Sequence, residues 1–398
     1  MKTFKSGLAL LAGLLLLAGC KKEDAVPNNS KIINWKFLSG GDEYEPGQQI
    51  IKSPDGGFMV VSNPGLNVAK TFIYKFTSTG QLAWQRKYDG DGDRAAKDLI
   101  ALRDGGYIVV GGSSSPINEF KSNMDLWVFK INAEGDVLWE KKYGGLKTEH
   151  AVAIVEGNDG GFLVLGNIEN TDRDLDPWLL KIDENGNQLW EKSFRNTDYD
   201  YATAITKCRD GYFFSTEKEN NLLDAARLVK VDNQGNLVYE KIFDGEGRDS
   251  FQSLIATDDN GVILAGNISG RGEGASIYGT DNPWLVKLNA NGELEWQKII
   301  SGIGGFNTIV RTPGGYVIGG AIRSKDTQFN GWIQEIDESG RKQWEIVLGG
   351  SKDDAVNSLV VEDSKKITFL GSTSSIDGDI GQAIEGSYAL WIMQVQPK

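Results

Sequence analysis

Three short acidic runs are the residues with the plainest chemical promise. "DGDGD" (Asp89, Asp91, Asp93), "DRDLD" (Asp172, Asp174, Asp176) and "DGDIG" (Asp377, Asp379) each alternate aspartates along the chain. Carboxylates spaced in this way supply the hard oxygen ligands that Ca²⁺ takes. None continues into a complete twelve-residue calcium loop, because Ile100 stands where the closing bidentate Glu belongs, twelfth from Asp89. The expectation is no obligatory cofactor, with calcium at Asp89, Asp91 and Asp93 or at Asp377 and Asp379 as the one metal option. His150 is the single histidine, which excludes a multi-His metal centre and leaves a Ser-His-Asp triad only this residue to use. No catalytic residue is assigned, although a glycosidase needs only two carboxylates flanking one sugar.

Charge and cysteine content narrow the classes further. Lys and Arg total 42 against 55 Asp and Glu, a formal charge of −13, and no basic block stands out. Such a chain is a poor nucleic-acid binder. Lys2 and Lys5 precede a short apolar run over residues 7–19, too few residues to span a bilayer as a helix, so residues 1–19 are expected to be a signal peptide. Loss of its two lysines takes the cations from 42 to 40 and the charge from −13 to −15. The sequence Leu17-Ala18-Gly19-Cys20 resembles the lipobox of bacterial lipoproteins, which implies lipidation at Cys20, a polar tether over 20–30 and anchoring in the outer membrane. The following Lys21-Lys22-Glu23-Asp24 resembles the export signal of lipoproteins bound for the cell surface. Cys208 is then left without a disulfide partner.

The elements that must position any site are visible as a repeat. "LWVFKINAEGDVLWEKKY" (126–143) recurs as "PWLLKIDENGNQLWEKSF" (177–194) and "PWLVKLNANGELEWQKII" (283–300), with further copies from 71, 226 and 331. A first aromatic column reads Phe72, Trp127, Trp178, Arg227, Trp284, Trp332, and a second reads Trp84, Trp139, Trp190, Tyr239, Trp296, Trp344. Between them Gly80, Gly135, Gly186, Gly235, Gly292 and Gly340 hold one place, the positive-φ position of a tight hairpin. Upstream of each hairpin lies another strand pair around a turn such as "RDGG" (103–106) or "NDGG" (158–161). Four antiparallel strands every fifty or so residues describe a β-propeller blade.

The chain ends supply two halves of one more hairpin. Trp35 lacks a first-column partner and Trp391 lacks a second-column one. Joining them makes the strand at about 31–38 the outermost strand of the last blade and closes a seven-bladed ring over residues 31–398. All eleven tryptophans fall in the two columns and are expected to pack blade on blade, with Trp190 a core residue.

The Trp-x-x-Lys-[Ile/Leu]-[Asp/Asn]-x-x-Gly-x-x-x-Trp pattern resembles the repeats of seven-bladed propeller lipoproteins and secreted proteins of the Bacteroidetes, over essentially all of residues 31–398. A weaker similarity links "KIDENGNQLW" (181–190) to quinoprotein repeats, whose rings have eight blades. These resemblances imply a fold rather than an activity, since propellers host many unrelated ones.

Strand alternation puts the two short turns of each blade on one face and the long loops and blade connections on the other, where recognition is expected. Glu45, Asp93, Glu149, Asp200, Asp249 and Asp354 recur in the connections and are expected to cap backbone N–H groups. Non-repeating neighbours are the candidate contact residues: Tyr44, Arg94, His150, Tyr199, Tyr201 and Arg248, then Arg271, Tyr278, Phe306, Arg323, Phe329 and Tyr388. Tyrosine and arginine around a shallow funnel suit sugar hydroxyls or a protein surface. The expected role is a non-catalytic binding module for a glycan or an envelope protein. A carbohydrate-active enzyme and an assembly scaffold are the alternatives.

Overall fold

The computed structural model describes residues 31–39, 45–64, 70–90, 92–114, 124–170, 174–195, 199–220, 223–243, 247–269, 281–323, 328–363, 365–381 and 388–398. Those residues form 28 strands in seven four-stranded antiparallel sheets. Blades 1 to 6 run in sequence from residues 47, 94, 149, 199, 250 and 304, and within each the strands pair in chain order. Blade 7 combines 354–397 with Lys31–Leu38, which pairs antiparallel with Ala389–Pro397, Lys31 opposite Pro397 and Leu38 opposite Trp391. The ring is therefore closed by the first described strand, as the two half-hairpins require.

The core is not one mass but seven layers. Each apolar cluster draws on two adjacent blades, from Met59 and Val109 between blades 1 and 2 to Val60 and Ile392 between blades 7 and 1. Trp127, Trp178, Trp284, Trp332 and Trp391 are buried in these layers. Each first-column residue pairs across the sheet with one position of the second strand: Trp127 with Gly111, Trp178 with Gly166, Trp284 with Gly266, Trp332 with Gly320 and Trp391 with Gly371. Where the tryptophan is replaced the glycine is too, as Phe72 opposite Ser62 and Arg227 opposite Thr216. A Cβ at Gly111, Gly266 or Gly320 would approach a first-strand carbonyl oxygen to 2.1, 2.0 and 2.0 Å, so the position has no room for a side chain there.

The second column differs from expectation. Trp84, Trp139, Trp190 and Trp296 are half-buried on the outermost strands. Each indole covers the hairpin glycine of the next blade: a Cβ at Gly135, Gly186, Gly235 or Gly340 would meet Trp84, Trp139, Trp190 or Trp296 respectively at 2.8–3.1 Å. These glycines also hold φ of 74–84°. One residue type thus satisfies the turn and leaves the surface that the neighbouring indole needs. Trp190 is an inter-blade clamp rather than a core residue.

A lysine in the third strand makes the other repeating contact. Lys75, Lys130 and Lys287 reach Asp55, Asp104 and Asp259 of the first turn of their own blades at 2.6, 2.7 and 2.8 Å, Lys230 reaches Asp210 at 3.1 Å, and Lys181 pairs with Asp159. The Lys181 side chain is 1% exposed and also donates to Gly160 O at 2.6 Å. In blade 6 lysine and aspartate disappear together, leaving Glu335 and a Pro313-Gly314-Gly315 turn. The Lys130 hydrogen bond holds Asp104 below the ordinary carboxylate range, and the Lys181 bond does the same for Asp159. Burial alone would raise Asp259, but bonds from Lys287 and Thr257 bring it down to about 2.

Two outcomes follow for stability. Trp178→Ala should cost roughly 3–5 kcal/mol as a core cavity, and Trp190→Ala distinctly less, in chemical denaturation of the two variants side by side. Asp159→Asn should cost about 1 kcal/mol at neutral pH, because its aspartate is half-exposed and screened. A depressed carboxylate stabilises above its unfolded pKa of about 3.9 and ceases to as pH falls through its folded value, so the gap between Asp159→Asn and wild type should close in acid.

Candidate functional site

The first strand of every blade carries one β-bulge at the same register. The inserted residues are Gln48, Lys97, Val152, Thr203, Gln252, Asn307 and Asn357. Together with the residue that follows each, they line a cavity of about 220 Å³ to which all seven blades contribute, so it lies on the ring axis. A bulge leaves backbone groups out of the ladder, and those groups need partners from elsewhere. The neighbouring blade supplies them. Thr203 Oγ1 donates to Phe251 O at 2.7 Å, Asn307 Nδ2 to Val356 O at 2.9 Å and Asn357 Nδ2 to Gly47 O at 3.0 Å. The Ile154 and Ile309 N–H groups donate to Asp98 Oδ2 at 2.9 Å and Ser253 Oγ at 3.2 Å. Gln49 Nε2 donates to Asp98 Oδ1 at 3.0 Å, and burial raises the Asp98 pKa.

Above this ring, towards the loop-rich face, stand residues two places before the bulge. In blades 3 and 4 these are His150 and Tyr201. His150 Nε2 lies 3.2 Å from Asn167 Nδ2, and Asn167 Oδ1 accepts from Ala202 N at 2.8 Å, so one amide ties the histidine to the next blade. Burial first, and then the charge of Lys97, push His150 down to about 4. The ring is neutral at neutral pH, and an Asn167 N–H aimed at Nε2 fits the tautomer protonated at Nδ1. Tyr201 donates to the Tyr199 hydroxyl at 2.7 Å, with ring centroids 4.6 Å apart. In blade 5, Gln252 Nε2 donates to Glu217 Oε1 at 2.8 Å and to Ser250 Oγ at 3.1 Å. Burial lowers the pKa of Lys97, which reaches Gln48 Oε1 at 3.3 Å.

The sequence-derived residues divide accordingly. His150, Tyr199 and Tyr201 stand together at the channel mouth. Arg94 instead packs over Trp127, 5.0 Å from the ring, and pairs with Glu140 at 3.1 Å. Phe306 is fully buried and stacked on Trp332 at 5.0 Å, because it stands one residue before the bulge, where side chains point between blades. It is a core residue and not a contact residue. Arg323 lies over Phe329 at 4.9 Å on the rim of blade 6, Arg248 is exposed in the connection before blade 5, and Tyr388 is half-buried at the start of the last third strand. Tyr44, Arg271 and Tyr278 lie outside the described residues. The channel residues Gln48, Lys97, Thr203, Gln252, Asn307 and Asn357 were missed. Their one signal is a polar residue recurring in six blades directly after a small or apolar residue near the start of the first strand.

Three of the acidic connection residues cap backbone N–H groups, and two take side-chain partners instead. Asp354 Oδ2 accepts from Gly350 N and Ser375 Oγ, both at 2.8 Å, Asp249 Oδ1 accepts from Ser269 N at 3.1 Å, and Glu149 Oε2 accepts from Gly145 N at 3.3 Å. Asp200 pairs with Arg227, and Glu45 accepts from Tyr74 and Ser39. The calcium expectation fares differently. Asp377 Oδ1 accepts from Ser351 N at 2.7 Å, while Asp379 Oδ2 turns to Lys31 Nζ at 2.7 Å and Gly349 N at 3.0 Å. A cation already occupies the carboxylate that calcium would need. Asp89 pairs with Lys87, Asp93 lies at the start of blade 2, and Asp91 is outside the described residues. Among the described residues no group of three acidic, His or Cys side chains is placed to hold a metal.

The single histidine makes the electrostatics directly measurable. Its ring should titrate near 4 rather than the ordinary 6.5 or so in an NMR pH series. Lys97→Met should move it upward.

No family model matches the chain, and no curated protein matches it. Solved structures do share the architecture. Polysaccharide lyase Uly1 is 9% identical with a TM-score of 0.54, covering 89% of this chain and 90% of that one. Drosophila Plexin A, in complex with Semaphorin 1b, is 8% identical with a TM-score of 0.52, covering 92% and 88%. A protein of unknown function from Dyadobacter fermentans is 12% identical with a TM-score of 0.50, covering 93% of this chain and 100% of that one. At these identities the likeness is one of fold.

Proposed function

We propose that this chain is a lipid-anchored envelope propeller of the Bacteroidetes repeat type, facing the periplasm or the cell surface from the outer membrane. Its channel mouth holds a glycan without cleaving it. The carrying observation is the bulge ring: five of seven blades put an amide or hydroxyl at the channel wall. Asn307 Nδ2 donates to the Val356 carbonyl and Asn357 Nδ2 to the Gly47 carbonyl and Ser372 Oγ, and both residues line the channel. Alternating donors and acceptors beside two tyrosines match the hydroxyls and apolar faces of a sugar.

The distribution of acids favours holding over cleaving. Asp98, the channel aspartate, is committed to Gln49 and two backbone N–H groups. Glu149, Asp200, Asp249 and Asp354 are buried and bonded to Gly145, Arg227, Ser269 and Gly350 respectively. Glu217 is bonded to the channel residue Gln252. A double-displacement or inverting mechanism asks for two carboxylates.

Titration against a broad glycan array, followed by calorimetry with the responding class, tests this reading. Saturable binding that Tyr201→Ala and Gln252→Ala each weaken by about tenfold or more, an interaction loss near 1.4 kcal/mol, with unchanged melting temperature, is the expected result. Folded protein that binds no glycan, or that turns one over, argues for scaffolding or for catalysis respectively.

A further inference from the structure

The outer edge of the ring carries a second sevenfold feature. The fourth strand of every blade has its own bulge, one residue before the second-column aromatic, from Asn34 in blade 7 to Gln343 in blade 6. An outermost strand has no neighbour to pair with, and a bulge bends it away from pairing. In three blades the bulge presents a large apolar side chain, whereas Glu295, Gln343 and Asn34 stand there in blades 5, 6 and 7. In blades 2, 3 and 4 the inserted residues are Leu138, Leu189 and Val238, at 57%, 57% and 54% exposure. Leu82, Leu237 and Leu294, two places before their aromatics, are 42%, 54% and 50% exposed. Single exposed apolar side chains are ordinary, but recurrence just before the aromatic in five neighbouring blades marks a surface with an occupant.

A row of cations accompanies that rim. Arg86, Lys141, Lys192, Lys241 and Lys298 stand two places after the aromatic in the same five blades. Lys141 donates to Asn187 Oδ1 at 2.7 Å, Lys192 to Asn236 Oδ1 at 3.0 Å and Lys241 to Gly292 O at 2.8 Å. Those three partners are neutral, whereas Arg86 pairs with Asp136 at 3.3 Å, and Asp183 and Asp232 stand near Lys141 and Lys192. Blade 6 loses both features at once, with Lys342 and Gln343 at the apolar places and buried Ile346 at the cationic one.

Both rows reach the short-turn end of the ring: the apolar residues stand where each fourth strand starts, and Lys141, Lys192 and Lys241 bond to the hairpin turn of the next blade. Lys31 starts there too, opposite Pro397, and Ile32 and Ile33 join the exposed apolar rim. The eleven residues from Cys20 to Lys31 can extend roughly 36–40 Å at most. A lipid on Cys20 would therefore hold this face, rather than the loop-rich one, against the bilayer. We infer that the short-turn rim docks on a phosphate-bearing lipid surface. Its leucines and valines enter the headgroup boundary, its lysines meet lipid phosphates, and the channel mouth is turned away from the membrane. The inference rests on the anchor proposed above.

The test uses the full lipidated chain in phosphatidylethanolamine and phosphatidylglycerol vesicles with brominated acyl chains. An environment-sensitive fluorophore is carried on L189C at the rim or on R248C in the exposed connection before blade 5. Quenching and a blue shift at L189C, with R248C unaffected, is the expected result. Adding Leu138→Asp, Val238→Asp and Lys192→Glu should reduce the quenching several-fold while the circular dichroism melt holds. Acylated protein with an unquenched L189C, or with quenching at R248C, overturns the docking. So does concentration-dependent self-association through the rim, which would make a second copy the occupant. Mass spectrometry of the mature N-terminus, taken first, reports the anchor separately: a missing acyl mass overturns the anchor and the docking with it.

Discussion

The extra residue in each innermost strand is the constraint from which the rest of the axis follows. A regular four-stranded blade would satisfy its own backbone, and seven such blades could meet through side-chain packing alone. The bulge takes carbonyl and N–H groups out of each ladder, beside the channel, where leaving them unpaired would be costly. Side chains from the preceding blade answer them, as Asn357 does for Gly47 and Asp98 for Ile154. The same device that stitches neighbours together therefore lines the channel with amides and hydroxyls. Structural need and binding potential come from one irregularity.

Away from the axis the ring is held by pairings that the repeat keeps or loses as units. Tryptophan with cross-strand glycine becomes arginine with threonine in blade 4, where Arg227 still donates to Glu240 at 2.6 Å, much as Trp127 Nε1 does to Glu140 at 3.0 Å. Lysine with turn aspartate gives way in blade 7 to Gln394, which donates to Glu362. Such joint replacement within one chain identifies contacts more firmly than a single column does. It shows which residues share a physical job and which merely recur.

The two ends of the ring separate by the same logic. Short turns pinned by buried lysines and covered by indoles make a regular underside with an apolar and cationic rim. The other end gathers the connections, the buried caps and the channel mouth. His150, kept neutral by burial and by Lys97, adds no charge to that mouth. The mouth sets neutral hydrogen-bonding groups beside Lys97 and Glu217.

The sequence by itself determined the blade, the count of seven and the closure by residues 31–38, because each depends on local spacing that strand alternation and turn chemistry expose directly. It misplaced Phe306 and Trp190 and missed the channel. A bulge breaks the period of two, so alternation read along a first strand assigns the wrong face on one side of it, and Phe306 and Asn307 exchange roles. An outer-strand tryptophan reads like an inner-strand one, since only the neighbouring blade decides how much of it is covered. Lys181 reads as a solvated strand residue until Asp159 and Gly160 are seen to enclose it. Tertiary structure decided these because each is set by contact between blades, and the repeat, being the same in every blade, carries no record of which side meets which.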